Sequence, residues 1–95
     1  GPAASRMTYE LNLTPPAVRA LQHRLPEHVA AAAIEFITGP LIENPRRVGK
    51  PLKRELAGVQ SARRGTYRIL YRVNEDEHEV VVLRIDHLRE VYRGR

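Results

Sequence analysis

Apolar positions in the first half of the chain recur first at strand spacing and then at helical spacing. From Thr8 to Leu13, TYELNL, the residues alternate, with Tyr9, Leu11 and Leu13 on one side, and this predicts a strand. Thr14 precedes Pro15 and Pro16, a helix start with threonine at the cap and proline in the first turn. Val18, Leu21 and Leu25 then recur at helical spacing. Pro26 breaks that helix and opens a second over Glu27 to Ile42, with Val29, Ala33, Ile34, Phe36, Ile37 and Leu41 as its apolar set. The alanine run Ala30 to Ala33 favours helix and allows close packing. Gly39-Pro40 is expected to end or kink this helix, and Asn44-Pro45 to close the segment. Two antiparallel helices joined by a tight proline turn result.

The second half returns to strand spacing. Arg46 to Leu56, RRVGKPLKREL, is read as a loop with a short turn of helix. Ala57 to Ala62 leads to a turn at Arg63-Arg64-Gly65 and a strand over Thr66 to Asn74. The polar NEDEH at Asn74 to His78 is a hairpin loop, and the β-branched run Glu79 to Ile85 is a central strand. The order is β-α-α-β-β-β. Early helices and late strands predict an α+β fold, with the helix pair on one face of an antiparallel sheet.

At 95 residues this is one small domain. Gly1 to Arg6 reads as the remnant of an expression tag and 7–95 as the domain. No apolar run approaches the ~18 residues of a membrane span, and no signal-peptide core is visible. The chain has no cysteine, which excludes a disulfide framework or thiolate metal site and fits a reducing cytoplasm.

Charge changes the picture more. The net charge is +5, and the excess is local. From Arg46 to Arg72 there are nine cations and a single acid, Glu55. Such a patch is the electrostatic footprint of a nucleic-acid binder. Along the strand, Tyr67, Ile69, Tyr71 and Val73 form one apolar face to cover the helices. Arg68, Leu70 and Arg72 form the other. Burying those guanidiniums unpaired would cost several kcal/mol each, so their face is expected to be wet or bound to anions.

Three motifs carry a resemblance. They are Gly49-Lys50-Pro51-Leu52, the Ser61-x-Arg63-x-Gly65-x-Tyr67-Arg68 core, and the terminal His87 followed by Tyr92-Arg93. With them, Met7 to about Arg93 resembles the RelE/ParE toxin superfamily of bacterial toxin–antitoxin systems. The resemblance implies the same β-α-α-β-β-β fold and neutralisation by a cognate antitoxin. RelE-type members cut messenger RNA on the ribosome, and ParE-type members poison DNA gyrase without a nuclease site. The His87 and Tyr92 tail places the chain nearer the RelE branch, which implies a metal-free endonuclease without a cofactor, with ribosome and mRNA as partners.

Such cleavage needs a base for the ribose 2′-hydroxyl, an acid for the leaving 5′-oxygen and cations for the phosphorane. Arg68 is the expected clamp, because a guanidinium offers phosphate a planar fork and stays charged. His87, with an imidazole that can either give or take a proton, can serve as base or acid, or else bond a carbonyl at a strand end. Tyr92 can stack on a base, donate its phenol proton or pack the tail onto the sheet. Lys50, Lys53, Arg54, Arg63, Arg64 and Arg89 are expected to grip RNA. His23, His28 and His78 lack ligand spacing, and no metal site is expected. Where some RelE toxins carry a catalytic Lys-x-Lys pair, this chain has Val59 and Ser61. Where some have arginine six residues before the terminal tyrosine, it has Asp86. The departures imply either a His-centred variant or a weak nuclease.

Overall fold

The structure, a computed structural model, describes residues 8–88. The expected strand–helix–helix–strands order is present. Strand β1, Glu10–Leu13, leads into α1, Pro15–Arg19, which continues as a wider π-helical turn, Ala20–Arg24. Leu25 is held extended by Pro26, as the residue before a proline prefers. Helix α2, Glu27–Phe36, follows and also widens into a π turn, Ile37–Leu41. Pro40 lies inside that turn, so the Gly-Pro pair distorts the helix through its missing N–H rather than ending it.

The segment expected as a loop holds more order than its composition suggests. It contains α3, Pro45–Val48, a two-residue strand β2, Lys50–Pro51, and a 3-10 turn, Arg54–Leu56. Strands β3, Gln60–Arg64, β4, Tyr67–Asn74, and β5, Glu79–His87, complete one five-stranded sheet in the order β1-β5-β4-β3-β2. The β3–β4 turn has Gly65 at φ 54, where a two-residue hairpin calls for glycine. The last four strands pair antiparallel. β1 instead lies parallel to β5, with Leu11 beside Val80 and Leu13 beside Val82. The helix pair between β1 and the rest carries the chain back, as a parallel pairing requires.

The two helices cover one face of the sheet. Ala17, Ala20, Val29, Ala33, Phe36, Ile37 and Leu41 pack against Tyr67, Ile69, Tyr71, Val80, Val82 and Ile85. The small residues let the helices lie close, and each large aliphatic buried here contributes about 1.5–3 kcal/mol. Among the described residues no helix is long and apolar enough to cross a membrane.

A bulge in β5 sets the chemistry of the other face. Leu70 pairs with Arg84 but Tyr71 with Val82, so Leu83 is the extra residue. The alternation slips by one, which turns Arg84 and Asp86 to the open side while Val82 and Ile85 stay in the core. Thr14 secures the bulge. It occupies the cap position of α1 but makes no side-chain cap bond. Its hydroxyl instead reaches the Leu83 carbonyl at 2.8 Å and the Val82 carbonyl at 3.1 Å.

Candidate nucleic-acid interface

The cross-strand register decides which cations share a face. Residues paired across strands point to the same side. Arg68 pairs with Arg63 on β3 and with Asp86 on β5. Lys50 on β2 pairs with Ser61, and Arg84 with Leu70. Lys50, Arg63, Arg68, Arg72 and Arg84 therefore lie on the side away from the helices. The acids Glu10 and Glu79 lie on that side too, but at the corner by β1.

Beside Arg63 is a hollow of about 410 Å³ lined by Arg47, Val48, Gly49, Lys50, Leu52, Ser61 and Arg63. Its floor rests on a close approach. A Cβ on Gly49 would collide with the Tyr71 hydroxyl and lie 2.8 Å from the Ser61 carbonyl oxygen. Tyr71 is fully buried and donates its hydroxyl hydrogen to the Pro45 carbonyl at 2.5 Å. Burial pushes the Tyr71 phenol up to about 12. The phenol is thus a fixed structural donor that ties β4 to α3 beneath the hollow.

Arg68 is 40% exposed at the side chain and lies 3.7 Å from Asp86, beyond hydrogen-bond reach. Among the described residues its Nε is buried without a partner. Asp86, only 5% exposed, accepts a 2.8 Å bond from Arg84 Nε. Sequence reasoning missed Arg84. The signal was its i,i+2 spacing to Asp86, which puts both side chains on one side of a strand.

The other expected residues separate. His87 pairs with Tyr67, so it belongs to the helix side at the end of β5, opposite in face to Arg68. Arg64 is likewise on the helix side, with its guanidinium 4.9 Å from the Phe36 ring centroid. Lys53 and Arg54 are exposed in the turn after β2, with Arg54 at φ 62. Arg89, Tyr92 and Arg93 lie outside the described residues. His78 stacks on Tyr9 at 3.8 Å between ring centroids. Tyr9 and Arg46 both bond Glu75, at 2.7 and 2.6 Å. Bonding by Arg46, then by Tyr9, holds the Glu75 carboxyl below its ordinary value. Arg46 is thereby taken out of the basic patch. Among the described residues no three His, Asp or Glu side chains converge as metal ligands would.

A five-stranded sheet backed by two helices, with a row of cations on its uncovered face, defines a small α+β protein with one cationic sheet face. Its sequence narrows that class. Residues 11–92 match the family model described as the ParE toxin of the type II toxin–antitoxin system parDE. Toxin RelG of Mycobacterium tuberculosis is 53% identical over 87 residues, which cover 92% of this chain and 99% of RelG. Toxin RelE of the same organism is 47% identical over 85 residues, covering 90% of this chain and 87% of that toxin. The crystal structure of the M. tuberculosis toxin–antitoxin complex RelBE2 contains a chain matching with TM-score 0.81 and 54% identity, over 84% of this chain and 98% of that one. Isolated E. coli RelE shares the fold, at TM-score 0.70 and 20% identity over 90% of this chain and 93% of that one. The chain belongs to the RelE/ParE superfamily of type II toxins.

Proposed function

We propose that the protein is a RelE-type toxin that cuts messenger RNA on the ribosome and is held inactive by a cognate antitoxin. The observation that carries this reading is the row of Lys50, Arg63, Arg68, Arg72 and Arg84 on the uncovered sheet face, beside an open hollow. A polynucleotide laid across it would meet cations fixed by strands rather than loops, and preorganised charge is worth most in the transition state. The ribose 2′-hydroxyl attacks the neighbouring phosphorus, and the P–O5′ bond breaks to leave a 2′,3′-cyclic phosphate and a 5′-hydroxyl. Arg68 holds the charge that develops on the non-bridging oxygens.

Among the described residues, the open face offers charge but no histidine or tyrosine beside Arg68. His87 is turned to the helix side, away from the phosphate held by Arg68, so proton transfer is assigned to Tyr92, which lies outside the described residues, with the ribosome orienting the RNA. Orientation of this kind supplies much of a barrier reduction by itself. Weak cleavage of free RNA and strong cleavage on translating ribosomes follow. The relatives named with RelB-type partners support an antitoxin for this chain as well.

The separation of His87 from Arg68 also favours a second reading, a ParE-type toxin that binds gyrase and cuts nothing. Expression of wild type and Arg68→Ala in cells, with mapping of mRNA 5′ ends, decides between them. New ends inside translated codons are expected for the wild type. They should fall about 10²–10³-fold in the variant, the loss typical of one oxyanion donor. Supercoiling defects with intact mRNA would overturn the nuclease reading.

A further inference from the structure

Among the described residues the one acid in the middle of the basic face is Asp86. It is buried, yet it sits between two guanidiniums rather than in the core. The two contacts are unequal. Arg84 donates to one carboxylate oxygen at 2.8 Å, and Arg68 stands 3.7 Å from the other. Among the described residues the Arg68 side chain makes no hydrogen bond, and its Nε is buried without an acceptor. The carboxylate thus belongs to Arg84, while Arg68 is held near it by charge alone.

We propose that Asp86 is a built-in competitor for phosphate at Arg68, and that Arg84 decides how strongly it competes. A phosphodiester offers Arg68 two acceptors in fork geometry, which the 3.7 Å contact does not. When RNA arrives, Arg68 exchanges the carboxylate for phosphate, and Arg84 keeps Asp86 from being left as a buried, unpaired charge. Asp86 is a positioning residue in this scheme. It holds the Arg68 head over the sheet and lowers its affinity for any polyanion. The inference rests on the RNA reading for the identity of the ligand, but the competition itself is with anions in general.

The test measures binding rather than cleavage. Binding of wild type, Asp86→Asn and Glu77→Gln to single-stranded RNA is followed as salt is raised, and elution from immobilised heparin is measured alongside. Glu77, exposed in the β4–β5 turn, carries the same change of net charge and serves as control. Asp86→Asn should bind roughly three- to fivefold tighter, the size of one partly exposed ion pair. Its slope of log affinity on log salt should match that of wild type, because Arg68 meets phosphate in both complexes and only the cost of leaving the carboxylate differs. Arg84→Ala, which leaves Asp86 to Arg68 alone, should weaken binding more than Arg72→Ala does. Equal gains for Asp86→Asn and Glu77→Gln, or no gain for Asp86→Asn, overturn the proposal. So does an Arg84→Ala loss no larger than that of Arg72→Ala. Should wild type ignore RNA at low salt while Asp86→Asn still elutes later from heparin, the competition stands and the RNA reading falls.

Discussion

Replacing Gly49 by alanine tests the link between the fold and the hollow. On backbone grounds the change should help, because φ −137 and ψ −178 are open to any residue. Alanine would then stabilise by about 0.4–1 kcal/mol through the unfolded chain. The folded state opposes this. The new methyl group meets the Tyr71 hydroxyl and lies 2.8 Å from the Ser61 carbonyl oxygen, and both sit on strands of the central sheet. Overpacking of this kind costs about 1–3 kcal/mol. Displacing the Tyr71 hydroxyl from the Pro45 carbonyl adds about 1–3 kcal/mol for a buried group left unpaired. The collision terms win, and a net loss of ~2–4 kcal/mol is expected. At roughly 4–8 °C per kcal/mol for a domain of this size, the melting temperature falls by more than ~8 °C. Urea unfolding of Gly49→Ala, Tyr71→Phe and the double variant provides the assay. Removing the hydroxyl makes room for the methyl, so the double variant should be more stable than the sum of the singles by about 0.5–3 kcal/mol. A Gly49→Ala protein as stable as wild type, or two changes that simply add, would refute the account of the hollow's floor.

Four further outcomes are expected. Leu41→Ala, at a fully buried position between the helices and the sheet, should cost about 2–5 kcal/mol by urea unfolding. Tyr71 favours the folded state while protonated, so stability should be full below pH 10 and fall as pH rises toward about 12. Tyr71→Phe should remove that alkaline fall in a pH series of unfolding curves. Glu75 behaves in the opposite sense. Its lowered value stabilises the fold above pH 4.5 and is lost as pH drops through it, so Glu75→Gln should flatten the acid limb of the same series. Lys50→Ala and Arg63→Ala should each reduce the salt slope of RNA binding by ~0.7, whereas Arg64→Ala, on the helix side against Phe36, should leave it unchanged.

That contrast between Arg63 and Arg64 shows where the sequence becomes insufficient. Both are arginines in one turn-flanking pair, and composition treats them alike. Strand alternation separates them once the register with Arg68 and Tyr67 is known. Within β4 the alternation was legible directly, because Tyr67, Ile69 and Tyr71 are apolar and Arg68 and Arg72 are not. In β5 it was not. The run Val80-Val81-Val82-Leu83 leading into the bulge is apolar at both alternating positions, so nothing local marks the slip that moves Arg84 and Asp86 to the open face. His87 suffers from the same slip, which places it beside Tyr67 rather than Arg68.

The chain alone determined what depends on neighbours a few residues away. Helical and strand periods, proline and glycine at the turns, and the concentration of cations between Arg46 and Arg72 all follow from local spacing and charge. Only the tertiary structure decided what depends on distant pairings. Those are the parallel seat of β1 against β5, the glycine made obligatory by Tyr71, and the carboxylate set between Arg68 and Arg84. Each of these joins residues far apart in sequence or depends on a cross-strand register. Such pairings are chosen by how the whole core fills rather than by any short stretch of the chain.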